Sequence, residues 1–451
     1  MLGIEYLWVD CLCIVQGDRE DWERESGRMS NVYRCAYVTL AAAWGDDSNS
    51  GLFSVAEDFE PNVVANLCLN DQIWPLYLRP AHPPICNWDA CKDAGETPLF
   101  DRGWTFQERL ISPKVIYFTR DELAFQCSFH AACECGLTQH QLCDLDPDIT
   151  DIPNPKSDLA DAISSCDNDL ASPAVQLDDI TLQDQECIKT PSSPYSDYDT
   201  SPILEVNQRA WLDLVRDYSK LKLTNPTDKL PAFGAVARQF QALHPRERYL
   251  AGLWSGSLHL DLLWYTHTAP GPRLENIPTW SWASISGLIT YLPCILQFTR
   301  SFEIADATCS YVDDNPFGVF KSSSLVLYGR LTPCGIRKNP SQVLFKNFDI
   351  HHPRSGLRMR ENVRIDIRTN EVSRNRLRRV YLLELCNSIR ENSTERCFLV
   401  LERKSKENQT FCRVGVAFFL PEIHPEERKY VAAMDIMVSD KFSTTEFITL
   451  V

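Results

Sequence analysis

Two short stretches of the chain place polar side chains inside otherwise apolar segments, and they constrain the fold more than any other feature. The first stretch runs from Tyr6 to Gln16 and the second from Arg102 to Leu110. The polar residues that they carry are Asp10, Gln16, Arg102, Gln107 and Glu108. Burying an unpartnered polar group costs about 1–3 kcal/mol. The sequence therefore predicts that these groups either pair with one another or carry chemistry.

The amino-terminal pattern predicts a strand, a helix and a second strand. Ile4 to Val15 is a nearly continuous apolar run, which is typical of an interior parallel strand. Asp18 fits the N-cap of the helix, with Asp21 at the capping-box position. The apolar residues that recur at helical spacing are Trp22, Met29, Tyr33 and Ala36. With a second strand from Tyr37 to Ala43, this order predicts a βαβ unit in an α/β fold, with the helix packed on the sheet.

Composition and pattern divide the chain into four segments. Residues 1–143 form the α/β core, in which Arg102 to Ile111 is a predicted helix followed by strands at 115–118 and 123–127. Residues 144–205 are an acidic segment. Residues 206–290 form a helical, Trp-rich segment, where Trp280 and Trp282 would face one side of a strand. Residues 291–451 carry short strands between charged turns, typical of an antiparallel β-rich region with its own core.

Charge and cysteine content limit the classes of partner. The net charge is −16, of which residues 144–205 contribute −13, so the remainder is nearly neutral and gives no case for nucleic-acid binding. The acidic segment is rich in Ser and Pro, which predicts a disordered insertion. The 18 cysteines without a secretion signal indicate reduced thiols in a cytoplasmic protein. No apolar run is long enough to cross a membrane.

The helix after Arg102 is the strongest candidate for chemistry. Trp104 and Glu108 lie one turn apart on a shared face, with Gln107 close by and Arg102 at the start. A carboxylate beside an indole has its pKa raised by burial, unless a cation opposes the effect. Glu108 is therefore either a catalytic acid or base, or half of a structural pair with Arg102; such pairs are the commoner outcome.

Asp10 and the cysteines leave further alternatives open. Asp10 near the carboxyl end of its strand is a site residue, or it caps a neighbouring helix or accepts backbone N–H groups. Cys13 is a candidate nucleophile, although no histidine precedes position 82 to act as its base. A cluster of thiols and imidazoles offers zinc ligands, but its spacing fits no standard zinc motif. The sequence therefore favours buried, reduced thiols. The members of the cluster are Cys127, His130, Cys133, Cys135, His140 and Cys143.

The chain resembles heterokaryon incompatibility (HET) domain proteins of filamentous fungi. The resemblance rests on the two opening stretches, on Tyr33 to Ala42, and on three later motifs that begin at Asp228, Tyr249 and Pro278. In that family a further strand precedes the first stretch by some forty to fifty residues, so the resemblance implies that this chain is truncated at its amino end.

The resemblance also implies a fold and a function. The fold would be a flavodoxin- or TIR-like parallel sheet, here without its first strand. The function would be non-self recognition and regulated cell death, through contacts with other incompatibility proteins or through self-association, with no established cofactor. The alternative is TIR-like cleavage of NAD as substrate, in which Glu108 would be the key carboxylate and which the truncation would impair.

Overall fold

The structure is a computed structural model that describes most of the chain outside the acidic segment. It describes residues 3–47, 49–54, 63–69, 72–77, 97–120, 122–128, 130–134, 139–141, 202–266, 272–291, 299–312, 315–338, 348–351, 358–359, 363–366, 377–390, 393–405, 407–419 and 443–451. The predicted disordered insertion therefore lies outside the described residues as far as position 201. Among the described residues, no helix has the length and apolar character needed to cross a membrane.

Helices and strands alternate in the first third of the chain. The helices are α1 (Asp10–Cys13), α2 (Arg19–Cys35) and α3 (Gly103–Ile111), and a 3-10 turn spans Pro98–Asp101. The strands are β1 (Thr39–Ala42), β2 (Val63–Leu69), β3 (Gln72–Tyr77), β4 (Lys114–Phe118), β5 (Leu123–Cys127), β6 (His130–Cys133) and β7 (Gln139–Gln141). The helix predicted from Arg102 to Ile111 and the two strands predicted after it are confirmed.

The strand predicted from Ile4 to Val15 is wrong. Residues 3–9 form no regular element, and residues 10–13 form a single helical turn. The apolar side chains of this stretch are largely exposed, with Tyr6 at 87% and Leu7 at 78% of their full accessible surface. An apolar run becomes an interior strand only when neighbouring strands pair with it, and no described strand pairs with this one.

Helix α2 begins where the sequence predicts. The Asp18 carboxylate accepts hydrogen bonds from the backbone N–H groups of Glu20 and Asp21, as an N-cap does. The Asp21 side chain does not complete a capping box, because it accepts instead from the backbone N–H of Val15 at 2.7 Å. The helix packs on α3 rather than on the sheet.

The first sheet has the strand order β1-β4-β5-β6-β7. Strands β1 and β4 are parallel, with Thr39 opposite Val115, and each later neighbour is antiparallel. The βαβ unit is therefore β1-α3-β4, and the predicted unit around α2 is wrong. Its core lies between the sheet and the turn before α3, where Phe100 packs edge-on against Tyr117 with ring centroids 5.6 Å apart.

The second third of the chain is helical and rich in buried aromatic rings. Its helices are α4 (Pro202–Ser219), α5 (Gly234–Leu243) and α6 (Leu258–Asp261), with 3-10 turns at Pro226–Lys229, Pro231–Phe233 and Trp282–Ser284. Two-residue strands are β8 (Tyr249–Leu250), β9 (Leu253–Trp254), β10 (Tyr265–Thr266) and β11 (Ile289–Thr290). Trp280 and Trp282 are completely buried, but they lie in a turn and not on the predicted strand.

The last third forms one large, mainly antiparallel sheet, as predicted. Its strands are β12 (Thr299–Arg300), β13 (Phe302–Tyr311), β14 (Phe320–Lys338), β15 (Phe348–His351), β16 (Arg358–Met359), β17 (Val363–Ile365), β18 (Arg378–Arg390), β19 (Ser393–Ser405), β20 (Thr410–Phe419) and β21 (Thr444–Leu450).

The core of this sheet is divided. One cluster, which includes Ile336, Val380 and Val414, belongs to the sheet alone. The opposite face shares the large aromatic core of the helical segment. The chain thus has mixed α/β content with a β-rich carboxyl-terminal region. That region has a core of its own on one face of the sheet, as predicted, but its other face packs into the core of the helical segment.

Candidate functional site

Glu108 on helix α3 lies at the centre of a cluster of polar side chains. Burial raises the pKa of its carboxyl group to about 7. The charge of Arg102 opposes this rise in pKa, whereas the charge of Asp10 adds to it. Asp10 and Glu108, about a hundred residues apart in the sequence, therefore lie close enough to interact electrostatically.

Tyr33 on helix α2 completes the arrangement. Its side chain is hydrogen-bonded to Glu108, and burial together with the charges of Glu108 and Asp10 raises the pKa of the phenol. The ring packs edge-on against Trp8, with centroids 5.6 Å apart. We call Asp10, Tyr33, Arg102 and Glu108 the Glu108 cluster. Sequence reasoning assigned Tyr33 only to the packing face of its helix, since a tyrosine at apolar spacing carries no sign of a polar role.

Asp10 makes a local hydrogen bond and also acts electrostatically on the Glu108 cluster. Its Oδ1 accepts a hydrogen bond from the backbone N–H of Cys11 at 2.7 Å, so it stabilises the local turn. Its charge also acts on Glu108 and Tyr33. Asp10 begins helix α1 and does not end a strand, so the predicted position at the carboxyl end of a strand is wrong.

The chemistry available to the Glu108 cluster is proton transfer. A carboxyl group with a pKa near 7 is present in both protonation states at neutral pH, which is the condition for a general acid or base. Tyr33 donates a hydrogen bond to it, and Arg102 supplies positive charge. The same contacts also fit a structural pair, and the two interpretations differ only in whether a substrate reaches Glu108.

Trp104 connects helix α3 to the segment beyond the acidic insertion. Its ring packs edge-on against Trp22, with centroids 6.0 Å apart. Its indole N–H donates a hydrogen bond to the Asp228 side chain. Burial raises the pKa of the Asp228 carboxyl group, and this hydrogen bond opposes the rise. Asp228 was part of a recognised motif but had no predicted role, because nothing in the sequence indicates which side chain it would meet.

Gln107 and Gln16 occupy different places. Gln107 is buried, and its Oε1 accepts a hydrogen bond from the backbone N–H of Ala235 at 3.1 Å, in the first turn of helix α5. Gln16 donates to the Ile14 carbonyl at 2.9 Å and lines a cavity of about 420 Å³ together with Trp22 and Asp228. Neither glutamine contributes to the electrostatics of the Glu108 cluster, so both serve the surrounding structure.

Cys13 and the zinc alternative gain no support. Cys13 is a free, exposed thiol in helix α1. No group of three metal-ligating side chains exists within the part of the chain that the structure describes. Of the predicted zinc cluster, Cys135 and Cys143 lie outside that part.

The start of helix α3 is held by backbone contacts from the helical segment. The N–H of Gly103 donates to the Lys222 carbonyl at 2.7 Å, and the N–H of Lys222 donates to the Asp101 carbonyl at 2.6 Å. The Lys222 ammonium also lies 2.7 Å from the Asp101 carboxylate. A Cβ atom added at Gly103 would lie 2.6 Å from Leu223 Cδ2, so any larger residue would have to displace the Leu223 side chain.

Comparison with known proteins identifies one family. Residues 1–108 match the family model described as Heterokaryon incompatibility protein (HET), and the matched region ends at Glu108. Neither a curated protein nor a solved structure matches the chain significantly.

Proposed function

Because residues 1–108 of this chain are a heterokaryon incompatibility (HET) domain, we propose that the protein acts in non-self recognition and regulated cell death through contacts with other proteins. The HET domain links the chain to heterokaryon incompatibility and to fungal cell death. The contact mechanism, the partners and the cytoplasmic location are the proposal. Other incompatibility proteins or a second copy of the chain are the partners that we propose.

The exposure of apolar side chains in the HET domain carries this proposal. Tyr6, Leu7, Leu12 and Val15 are each more than half exposed, and Leu12 reaches 80%. Large apolar side chains on a protein surface favour association, because covering them removes apolar area from water.

Expression in a fungal host tests the contact mechanism. The wild-type chain should arrest growth, and the double substitution Leu7→Ser with Leu12→Ser should abolish the arrest, because it removes apolar contact area without touching the core. Leu377→Ser is the matched control, since Leu377 is 50% exposed and belongs to the β-rich region. Equal arrest by the wild-type chain and the double variant at equal protein levels would contradict the proposal.

A second function is supported by Glu108. Its pKa of about 7, with Tyr33 and Arg102 beside it, suits the key carboxylate of a TIR-like enzyme that cleaves NAD. The cavity lined by Trp22 and Asp228 does not include Glu108.

Incubation of the purified chain with NAD tests this alternative. Cleavage would appear as loss of NAD over hours, and Glu108→Gln would prevent it, because an amide cannot transfer the proton. Unchanged NAD in the presence of folded wild-type protein would exclude the activity.

A further inference from the structure

Two cysteines face each other across neighbouring strands of the large sheet. Cys386 on β18 lies directly opposite Cys397 on β19 in the antiparallel register. Both side chains are completely buried, and their thiols are hydrogen-bonded to one another. Residues opposite one another in an antiparallel pair have Cα atoms about 4.5–5.5 Å apart, which lies within the range that a disulfide spans.

A β-bulge creates this pairing. Glu384 lies opposite Phe398, and the register shifts before Cys386, so that Cys386 and not Leu385 lies opposite Cys397. Bulges are specific features that redirect side chains rather than defects. The other buried cysteines of the sheet have no such partner, because Cys334 lies opposite Val380 and Cys412 opposite Glu402.

We propose that Cys386 and Cys397 form a reversible cross-strand disulfide that locks the β18–β19 hairpin when the chain meets an oxidising low-molecular-weight disulfide such as glutathione disulfide. One cysteine thiolate attacks a sulfur of that disulfide and releases one glutathione thiolate. The second cysteine thiolate then attacks the protein-bound sulfur and releases the other. The two cysteines lose two electrons and two protons, and glutathione disulfide is reduced to two glutathione molecules.

The closed sheet controls access to this reaction. Burial raises the pKa of the Cys397 thiol, and the Cys386 thiol and the carboxylates of Glu395 and Glu384 add to the rise. The thiolate is the attacking species, so the closed hairpin is unreactive. The hairpin ends at the Arg390–Ser393 pair, close to the cysteines, and parting of the strands from that end exposes both thiols. The disulfide therefore forms only after the hairpin has opened.

Peptide mapping of the full chain tests the proposal. The protein is incubated with glutathione disulfide in buffer and in urea below the unfolding transition, then alkylated, digested and analysed by mass spectrometry. We expect a peptide that joins Cys386 to Cys397, formed faster in urea, and a Tm several degrees higher in the oxidised protein. Free Cys386 and Cys397 after prolonged oxidation, or disulfides scattered among the 18 cysteines, would overturn the proposal.

Two single variants control the stability measurement. Cys386→Ser should remove the rise in Tm on oxidation, whereas Cys334→Ser should keep it, because Cys334 is equally a buried cysteine of the sheet but faces a valine. A rise in Tm that persists in Cys386→Ser would assign the effect to another thiol and contradict the proposal. If Cys386→Ser does not fold, the peptide map of the wild-type chain decides alone.

Discussion

At the scale of single residues, buried titratable groups link the stability of this protein to pH. Lys229 follows Asp228 in the chain, and its ammonium group donates to the Ile285 carbonyl at 2.5 Å and faces the Trp282 ring at 5.4 Å. Burial lowers its pKa from the ordinary value of 10.5 to about 7. Glu108 shows the opposite shift, since burial raises the pKa of its carboxyl group to about 7. Both side chains can therefore lose their charge near neutral pH without unfolding of the chain.

Lys229 should make the folded state more stable as the pH rises. Between about pH 7 and pH 10.5 the unfolded chain keeps the Lys229 proton, whereas the folded chain has lost it. The unfolded state then binds more protons, so the free energy of unfolding increases with pH in this window. We expect Lys229→Met to remove this contribution. Compared with the wild type at the same pH, the variant should therefore be more stable at pH 6 than at pH 9. Urea unfolding of both proteins at the two pH values measures the difference, and an identical pH dependence would show that Lys229 does not titrate as described.

At the scale of elements, helix α3 joins the first sheet to the helical segment. Its carboxyl end leads into β4, and its start is joined to Lys222 by a backbone hydrogen bond. Gly103 allows this approach, because it has no side chain to meet Leu223. The positions of Trp104 and Glu108 thus depend on Gly103, which allows the start of the helix to pack against Lys222 and Leu223.

Two glycine-to-alanine substitutions should act in opposite directions. Gly103→Ala should destabilise the chain by about 1–3 kcal/mol, because the added methyl group overpacks against Leu223. Gly27→Ala, within helix α2, should be neutral or stabilise it by up to about 1 kcal/mol, because it improves helix propensity and has only the Asn315 amide nitrogen within 4 Å, at 3.3 Å. Thermal unfolding of both variants measures the two effects. A Gly103→Ala variant as stable as the wild type would contradict the close packing.

The sequence predicted local elements better than it predicted their partners. Helices α2 and α3 and strands β1, β4 and β5 follow from caps, spacing and alternation, all of which are local signals. The prediction for Ile4 to Val15 was wrong, because an apolar run specifies burial only if other strands are present to pair with it. The proximity of Asp10 and Glu108 did not follow from the partners predicted for buried polar groups, because Asp10 is exposed. Asp228 and Tyr33 did not follow, because their contacts are set by tertiary packing.

At the scale of the whole molecule, the start of helix α3 contacts the segment that follows the acidic insertion. Trp104 donates to Asp228, Gln107 accepts from Ala235, and Gly103 donates to Lys222. The β-rich region is joined to the helical segment in turn. Buried Arg413 pairs with Asp366 at 2.6 Å and donates to the Leu262 carbonyl at 2.5 Å. The described contacts therefore connect all three structured parts of the chain.

A truncated chain of residues 1–143 should not hold the Glu108 cluster. Without the helical segment, helix α3 loses the partners of Gly103, Trp104 and Gln107, and its apolar face becomes exposed to water. We expect such a fragment to unfold without a cooperative transition, measured by circular dichroism on heating, whereas the full chain melts cooperatively. A sharp transition in the fragment would show that residues 1–143 fold alone.

The most direct test of the contact mechanism compares two variants in the same fungal growth assay. Glu108→Gln keeps an acceptor for the hydrogen bond from Tyr33 but cannot transfer a proton, whereas Leu7→Ser with Leu12→Ser removes exposed apolar area. We expect that Glu108→Gln still arrests growth and that the double surface variant does not. Growth arrest by the surface variant together with survival of cells expressing Glu108→Gln would contradict it.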